Sequence, residues 1–213
     1  MEPARRRARL AAARCYVVTG ARAERGDLEA FVDAILGAGA DIVQLREKDA
    51  EAGDLLRWGE VFRAAAERHG ALFTMNDRPD VALALGADGV HVGQNDLPPG
   101  VARRILGPDA IVGLSCHSPE QLDAASEEAD YMTAGPVHAT PTKPGRPGTG
   151  LDVVRHAAAA VERPWFAIGG IDPTTLGDAV EAGARRIVVV RAVTEAEDPA
   201  AAVRALLARL PVG

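Results

Sequence analysis

Short β-rich apolar runs recur along the chain at 15–19, 42–46, 72–76, 89–92, 111–115, 131–135, 165–169 and 187–191. Between them apolar residues fall at helical spacing, as at 28–36, 53–69, 119–127, 151–161 and 174–182. Strand and helix alternating in this way predict βαβ units and a parallel sheet, an α/β fold. The sequences GAGAD, ALGADG and EAGARR stand just before the second, fourth and eighth runs and read as helix stops with left-handed glycine caps. Eight parallel strands in about 200 residues are enough to close a (β/α)8 TIM barrel, whereas an open doubly wound sheet usually shows an early GxGxxG, which this chain lacks.

Composition narrows this picture. With 213 residues, 47% hydrophobic and 25% charged, the chain supports one sizeable core, so 1–213 is expected to be a single barrel domain. Its opening 1–14, MEPARRRARLAAAR, has no serine and no signal-like apolar stretch, and reads as a short amphipathic helix ahead of the barrel. A net charge of −6 argues against a nucleic-acid partner, and the apolar runs are too short to cross a bilayer, so a soluble, cytoplasmic protein is expected. Cys15 and Cys116 lie far apart with no metal-ligand spacing. Of the 24 basic residues only Lys48 and Lys143 are lysines, so their places in the fold carry information. One long loop stands out, TPTKPGRPGTG at 140–150, which follows the sixth run and reads as an active-site lid.

In a TIM barrel the loops after the strands build the catalytic face, and here the strand ends are strongly polar. Alternation turns Gln44 and Arg46 into the mouth, with Val43 and Leu45 toward the helices, and Lys48 extends the basic edge. Asp77 and Asp96 follow neighbouring strands, an arrangement suited to Mg²⁺, which takes one or two carboxylates together with waters and substrate phosphates. Lys143, with Thr140 and Thr142 on the lid, completes a site for a highly anionic group such as a diphosphate. A second phosphate site is expected at Gly169, Gly170 and Arg191, with Asp172 as a helix cap and Pro173 at a first helical position. His91, His117 and His138 read as hydrogen-bonded structural groups. The chain shows no Ser/His/Asp or Cys/His set for covalent nucleophilic catalysis.

Taken in order, QLREK at 44–48, ND at 76–77, DGVHVGQND at 88–96, LSCHS at 114–118, GPVHATPTK at 135–143 and AIGGI at 167–171 resemble thiamine phosphate synthase over almost the whole barrel. The resemblance implies a transferase with two small-molecule substrates: it joins hydroxymethylpyrimidine diphosphate to a thiazole phosphate and releases pyrophosphate, with Mg²⁺ as cofactor. It also implies site residues. Gln44, Arg46, Lys48, Asn76, Ser115 and Lys143 would bind the pyrimidine diphosphate, with Arg46, Lys48, Ser115 and Lys143 active in catalysis. Asp77 and Asp96 would hold magnesium, while 140–142, Gly170, Val190 and Arg191 would contact the thiazole phosphate. Arg191 departs from the pattern, since many relatives carry a serine there; its side chain is expected either to reach the phosphate or to swing outward. Two rivals are a thiazole tautomerase-like isomerase, whose relatives place a histidine where this chain has Pro136, and a non-catalytic barrel that binds phosphate ligands. The oligomeric state is not legible in the sequence.

Overall fold

In a computed structural model that describes residues 2–139 and 148–211, the eight apolar runs are parallel strands whose alternate side chains serve two different cores. The elements run α1 (Pro3–Ala12), β1 (Cys15–Thr19), α2 (Leu28–Gly37), β2 (Ile42–Leu45), α3 (Ala52–His69), β3 (Leu72–Asn76), α4 (Pro79–Leu85), β4 (Gly89–Val92) and α5 (Pro99–Leu106). They continue with β5 (Ile111–Cys116), α6 (Pro119–Asp123), β6 (Tyr131–Ala134), α7 (Asp152–Ala160), β7 (Trp165–Ile168), α8 (Leu176–Glu181), β8 (Ile187–Val189), α9 (Arg191–Thr194) and α10 (Pro199–Leu207). Each strand pairs with its sequence neighbours, and β8 pairs back onto β1, so the sheet closes into the expected (β/α)8 barrel.

Inward-facing Tyr16, Ile42, Leu72, Ile111, Tyr131, Phe166 and Val188 pack together inside the barrel, and Leu10 and Ala13 join them from below. The intervening residues, Val17, Val43, Leu45, Phe73 and Met75 among them, face the helices in a separate outer core. Gln44 therefore points inward beside Ile42, as alternation requires, and is only 2% exposed.

The N-terminal helix expected at 1–14 is α1, and it lies across the bottom of the barrel. Arg6 reaches Asp88 at 2.9 Å and the Asp109 carbonyl at 2.7 Å, both at the entry to strands. Arg186 holds the carbonyls of Ala11 and Ala13 from the opposite side. Aspartates at three strand entries join the ladder: Asp41 accepts from Cys15 N, Asp88 from Phe73 N and Asp130 from Val112 N.

Two helices are shorter than their apolar spacing suggests. The helix expected at 119–127 stops at Asp123: Ala125 N turns to the Leu122 carbonyl, and the Arg163 guanidinium holds the carbonyls of Ala125, Ser126 and Ala129 in the loop beyond. The helix expected at 174–182 begins only at Leu176. Asp172 still caps the turn that leads into it: its carboxylate accepts from Thr174 N and Thr175 N and its carbonyl from Leu176 N, with Pro173 as the first residue of that turn. Strands β2, β6, β7 and β8 end one or two residues early, which leaves Arg46, Gly135 and Gly169 in the loops above them and puts Val190 and Arg191 at the start of α9. Among the described residues, no helix is long and apolar enough to cross a membrane.

Candidate active site

The mouth of the barrel holds two adjoining cavities, and Ser115 and Thr133, together with Ile168, Val188 and Val190, line both. The smaller, about 70 Å³, is walled by the ends of β2 to β5. Alternation continues past the end of β2, so Gln44, Arg46 and Lys48 line it in succession. Glu47 turns the other way, and its Oε1 accepts from Ala21 N at 2.7 Å. It therefore ties two loops together instead of balancing the basic edge. Asn76, Asp77, His91 and Asp96 complete this wall.

Asp77 carries the chemistry of this half. It is one of two non-glycine residues with positive φ among the described residues, at 58°, a conformation that aspartate tolerates better than most residues. Lys48 Nζ lies 3.1 Å from its Oδ2, and the carboxyl of Asp96 stands beside it. Asp96 is held in turn by Gly93 N, which donates to its Oδ2 at 2.8 Å. Burial, and then the second carboxyl, raise the pKa of Asp77 above the usual carboxylate range, against the pull of Lys48. Two neighbouring carboxyl groups at the cavity wall are a donor set of hard oxygens that suits Mg²⁺.

The larger cavity, about 440 Å³, lies over β6 to β8 and is lined by His117, Pro136, His138, Gly169, Gly170 and Arg191. Both glycines are needed there. At Gly169 (φ 105°) a Cβ would fall 2.5 Å from Pro136, and at Gly170 (φ 63°) it would fall 2.7 Å from His138 Cβ. Arg191 resolves the question left by its departure from the pattern: its Nε reaches Glu195 at 2.9 Å, one helical turn on, and the side chain stays half exposed at the rim. Val190 N-caps α9 beside it.

The structure thus brings Gln44, Arg46, Lys48, Asn76, Asp77, Asp96 and Ser115 together on one side, and Gly170, Val190 and Arg191 on the other. Thr140, Thr142 and Lys143 lie outside the described residues, as does most of the 140–150 loop. Its returning end is pinned where Thr149 N donates to Pro136 O at 2.7 Å and Gly150 N to Val137 O at 3.0 Å. A family model for thiamine monophosphate synthase matches residues 15–193. The chain belongs to the thiamine monophosphate synthase family. Among its relatives, the thiamine-phosphate synthase of Acidothermus cellulolyticus is 56% identical over 96% of this chain and 98% of that one. That of Streptomyces avermitilis is 54% identical over 96% of both. A solved structure, the thiamine phosphate pyrophosphorylase of Pyrococcus furiosus, superposes with a TM-score of 0.81 at 35% identity, covering 94% of this chain and 95% of that one.

Sequence reasoning missed how a thiamine monophosphate synthase of this kind is floored. His91 is a bonded group, as expected, but its partners are Tyr131 and Ser115 inside the mouth. His117 Nδ1 bonds the Gly135 carbonyl at 2.5 Å. His138 differs from expectation: its buried Nε2 has no hydrogen-bond partner among the described residues, at the wall of the larger cavity. Only barrel closure brings these side chains together at the mouth.

Proposed function

We propose that the two halves of the mouth hold the two substrates of thiamine phosphate synthesis, hydroxymethylpyrimidine diphosphate over β2 to β5 and the thiazole phosphate over β6 to β8. That the chain is a transferase making thiamine phosphate follows from its family and from relatives 54–56% identical over nearly its whole length. The observation that carries the assignment of halves is the meeting of Lys48, Asp77 and Asp96 in one cavity that adjoins a larger, less charged one.

Gln44, Arg46, Lys48, Asn76 and Ser115 bind the diphosphate in this reading, with Lys143 joining from the lid. Arg46 and Lys48 neutralise the charge that builds as the bond between methylene carbon and diphosphate oxygen breaks. The electron-rich aminopyrimidine supports the cation left behind. The thiazole nitrogen then forms the new C–N bond with its lone pair and has no proton to lose, so the site needs no general base. Asp77 and Asp96 hold the magnesium, which when bound supplies further positive charge to the departing pyrophosphate. Gly170 and Val190 meet the thiazole phosphate through their backbone, with Thr140 and Thr142 from the lid. Arg191 contributes its backbone, because its guanidinium is engaged by Glu195. Both substrates are small molecules, and the reaction belongs in the cytoplasm.

Purified protein given both substrates and Mg²⁺ is expected to form thiamine phosphate and pyrophosphate in equal amounts, and neither when one substrate is omitted. Folded protein that forms no product would overturn the reading.

A further inference from the structure

Beneath the mouth, buried side chains from six strands, β1 to β6, form one hydrogen-bonded line. Ser115 Oγ lies 2.9 Å from His91 Nε2, and His91 Nδ1 lies 3.0 Å from the Tyr131 hydroxyl. That hydroxyl is 3.1 Å from the Tyr16 hydroxyl, which in turn lies 2.8 Å from Thr74 Oγ1 and accepts from Gln44 Nε2. The line begins and ends at residues of the smaller cavity, Ser115 and Gln44. Space for it is built in. At Gly113 a Cβ would stand 2.1 Å from Tyr131 Cζ and 2.5 Å from His91 Nδ1, so only glycine lets the two rings stack at 5.5 Å.

Proton counting gives a neutral line two consistent orders. An amide nitrogen only donates, and each hydroxyl has one proton. Burial pushes Tyr16 up to about 12 and raises Tyr131 well above its ordinary range, so both phenols keep their protons. In one order Ser115 donates to His91 Nε2, Nδ1–H donates to Tyr131, and the protons run on through Tyr16 to Thr74. In the other they run from Thr74 through Tyr16 and Tyr131 to His91 Nδ1, and Nε2–H donates to Ser115. Ser115 then has its own proton free to point into the mouth. A diphosphate oxygen only accepts, so a Ser115 that faces one must donate, and only the second order allows that.

We propose that Tyr131, backed by Tyr16, is a positioning residue that holds His91 as its Nε2–H tautomer and so turns the Ser115 proton toward the anion in the mouth. The inference rests on the reading of this half as the diphosphate site. Inorganic pyrophosphate with Mg²⁺ serves as the probe, read by long-range ¹H–¹⁵N spectra of protein labelled at histidine nitrogen. With pyrophosphate bound, His91 should show a bare Nδ1 and a protonated Nε2. Tyr131→Phe should shift that signature toward the other tautomer and lower kcat/KM for the pyrimidine diphosphate about tenfold, with KM for the thiazole phosphate unchanged. Tyr16→Phe should act in the same direction, and the wild-type spectrum decides the tautomer even where a variant folds poorly. Pyrophosphate that requires Arg46 for binding but leaves His91 as the Nδ1–H tautomer or as imidazolium would overturn the inference alone. So would a Tyr131→Phe protein with an unchanged spectrum and rate. Pyrophosphate whose affinity is indifferent to Arg46→Ala would overturn the diphosphate reading and this inference with it.

Discussion

Asp77 shows how much one residue can be asked to do. Its left-handed φ costs about 1 kcal/mol or more, and its carboxyl is crowded by Asp96. Because the fold raises its pKa, the folded chain holds this proton more tightly than the unfolded chain does. Stability from this group is therefore present at low pH and is lost as pH rises through the raised pKa. Asparagine tolerates the same φ and cannot ionise. In metal-free buffer, Asp77→Asn should flatten the fall in melting temperature between acid and neutral pH, while the Mg²⁺ needed for half-maximal activity should rise about tenfold. An unchanged metal titration would remove Asp77 from the metal site. The pairing with Asp96 was legible because both aspartates follow adjacent strands. The tyrosines beneath were not, since Tyr16 and Tyr131 stand in apolar runs and read as core until the closed sheet sets their hydroxyls 3.1 Å apart. Nor was the outward turn of Arg191, which depends on a glutamate four residues on.

At the scale of elements, alternation carried furthest. It placed Gln44 and Arg46 inside correctly and holds one step beyond the strand, to Glu47 and Lys48. Helix ends were legible where glycine marks them, as at Gly86 (φ 62°), and were not after α6, where no glycine stands and the Arg163 guanidinium holds the loop carbonyls from a distance. The loop after β7 is a different case, because its glycines answer to neighbours in three dimensions. A methyl at position 170 would press on His138 Cβ while the backbone holds φ 63°. The loop would then shift toward the larger cavity and leave the smaller one alone. Gly170→Ala should accordingly raise KM for the thiazole phosphate about tenfold, with KM for the pyrimidine diphosphate within twofold of wild type. Steady-state kinetics with each substrate varied in turn would show it, and a change confined to the diphosphate would assign the halves the wrong way round.

Across the whole molecule the barrel separates chemistry at its top from stability at its bottom. The repeat count and the opening helix were legible, but the work of the aspartates before β2, β4 and β6 was not, because each bonds a strand other than its own. Asp88 is the most committed of them. One oxygen pairs with Arg6 at 2.9 Å, with both side chains 12% exposed, and the other accepts from Phe73 N at 3.0 Å. Alanine there would take the carboxylate from the Arg6 guanidinium, which keeps the Asp109 carbonyl, and the side-chain acceptor from Phe73 N, a loss of about 3 kcal/mol. The mouth lies at the opposite ends of the same strands, and Asp88 bonds Arg6, Phe73 and Ile111 at the bottom. Asp88→Ala should therefore lower the urea midpoint markedly with an unchanged slope, while kcat and both KM values in the absence of denaturant stay near wild type. A variant that kept its stability would show that α1 is not fastened through this pair, and one that lost turnover while still folded would show that the two ends are coupled through the strands.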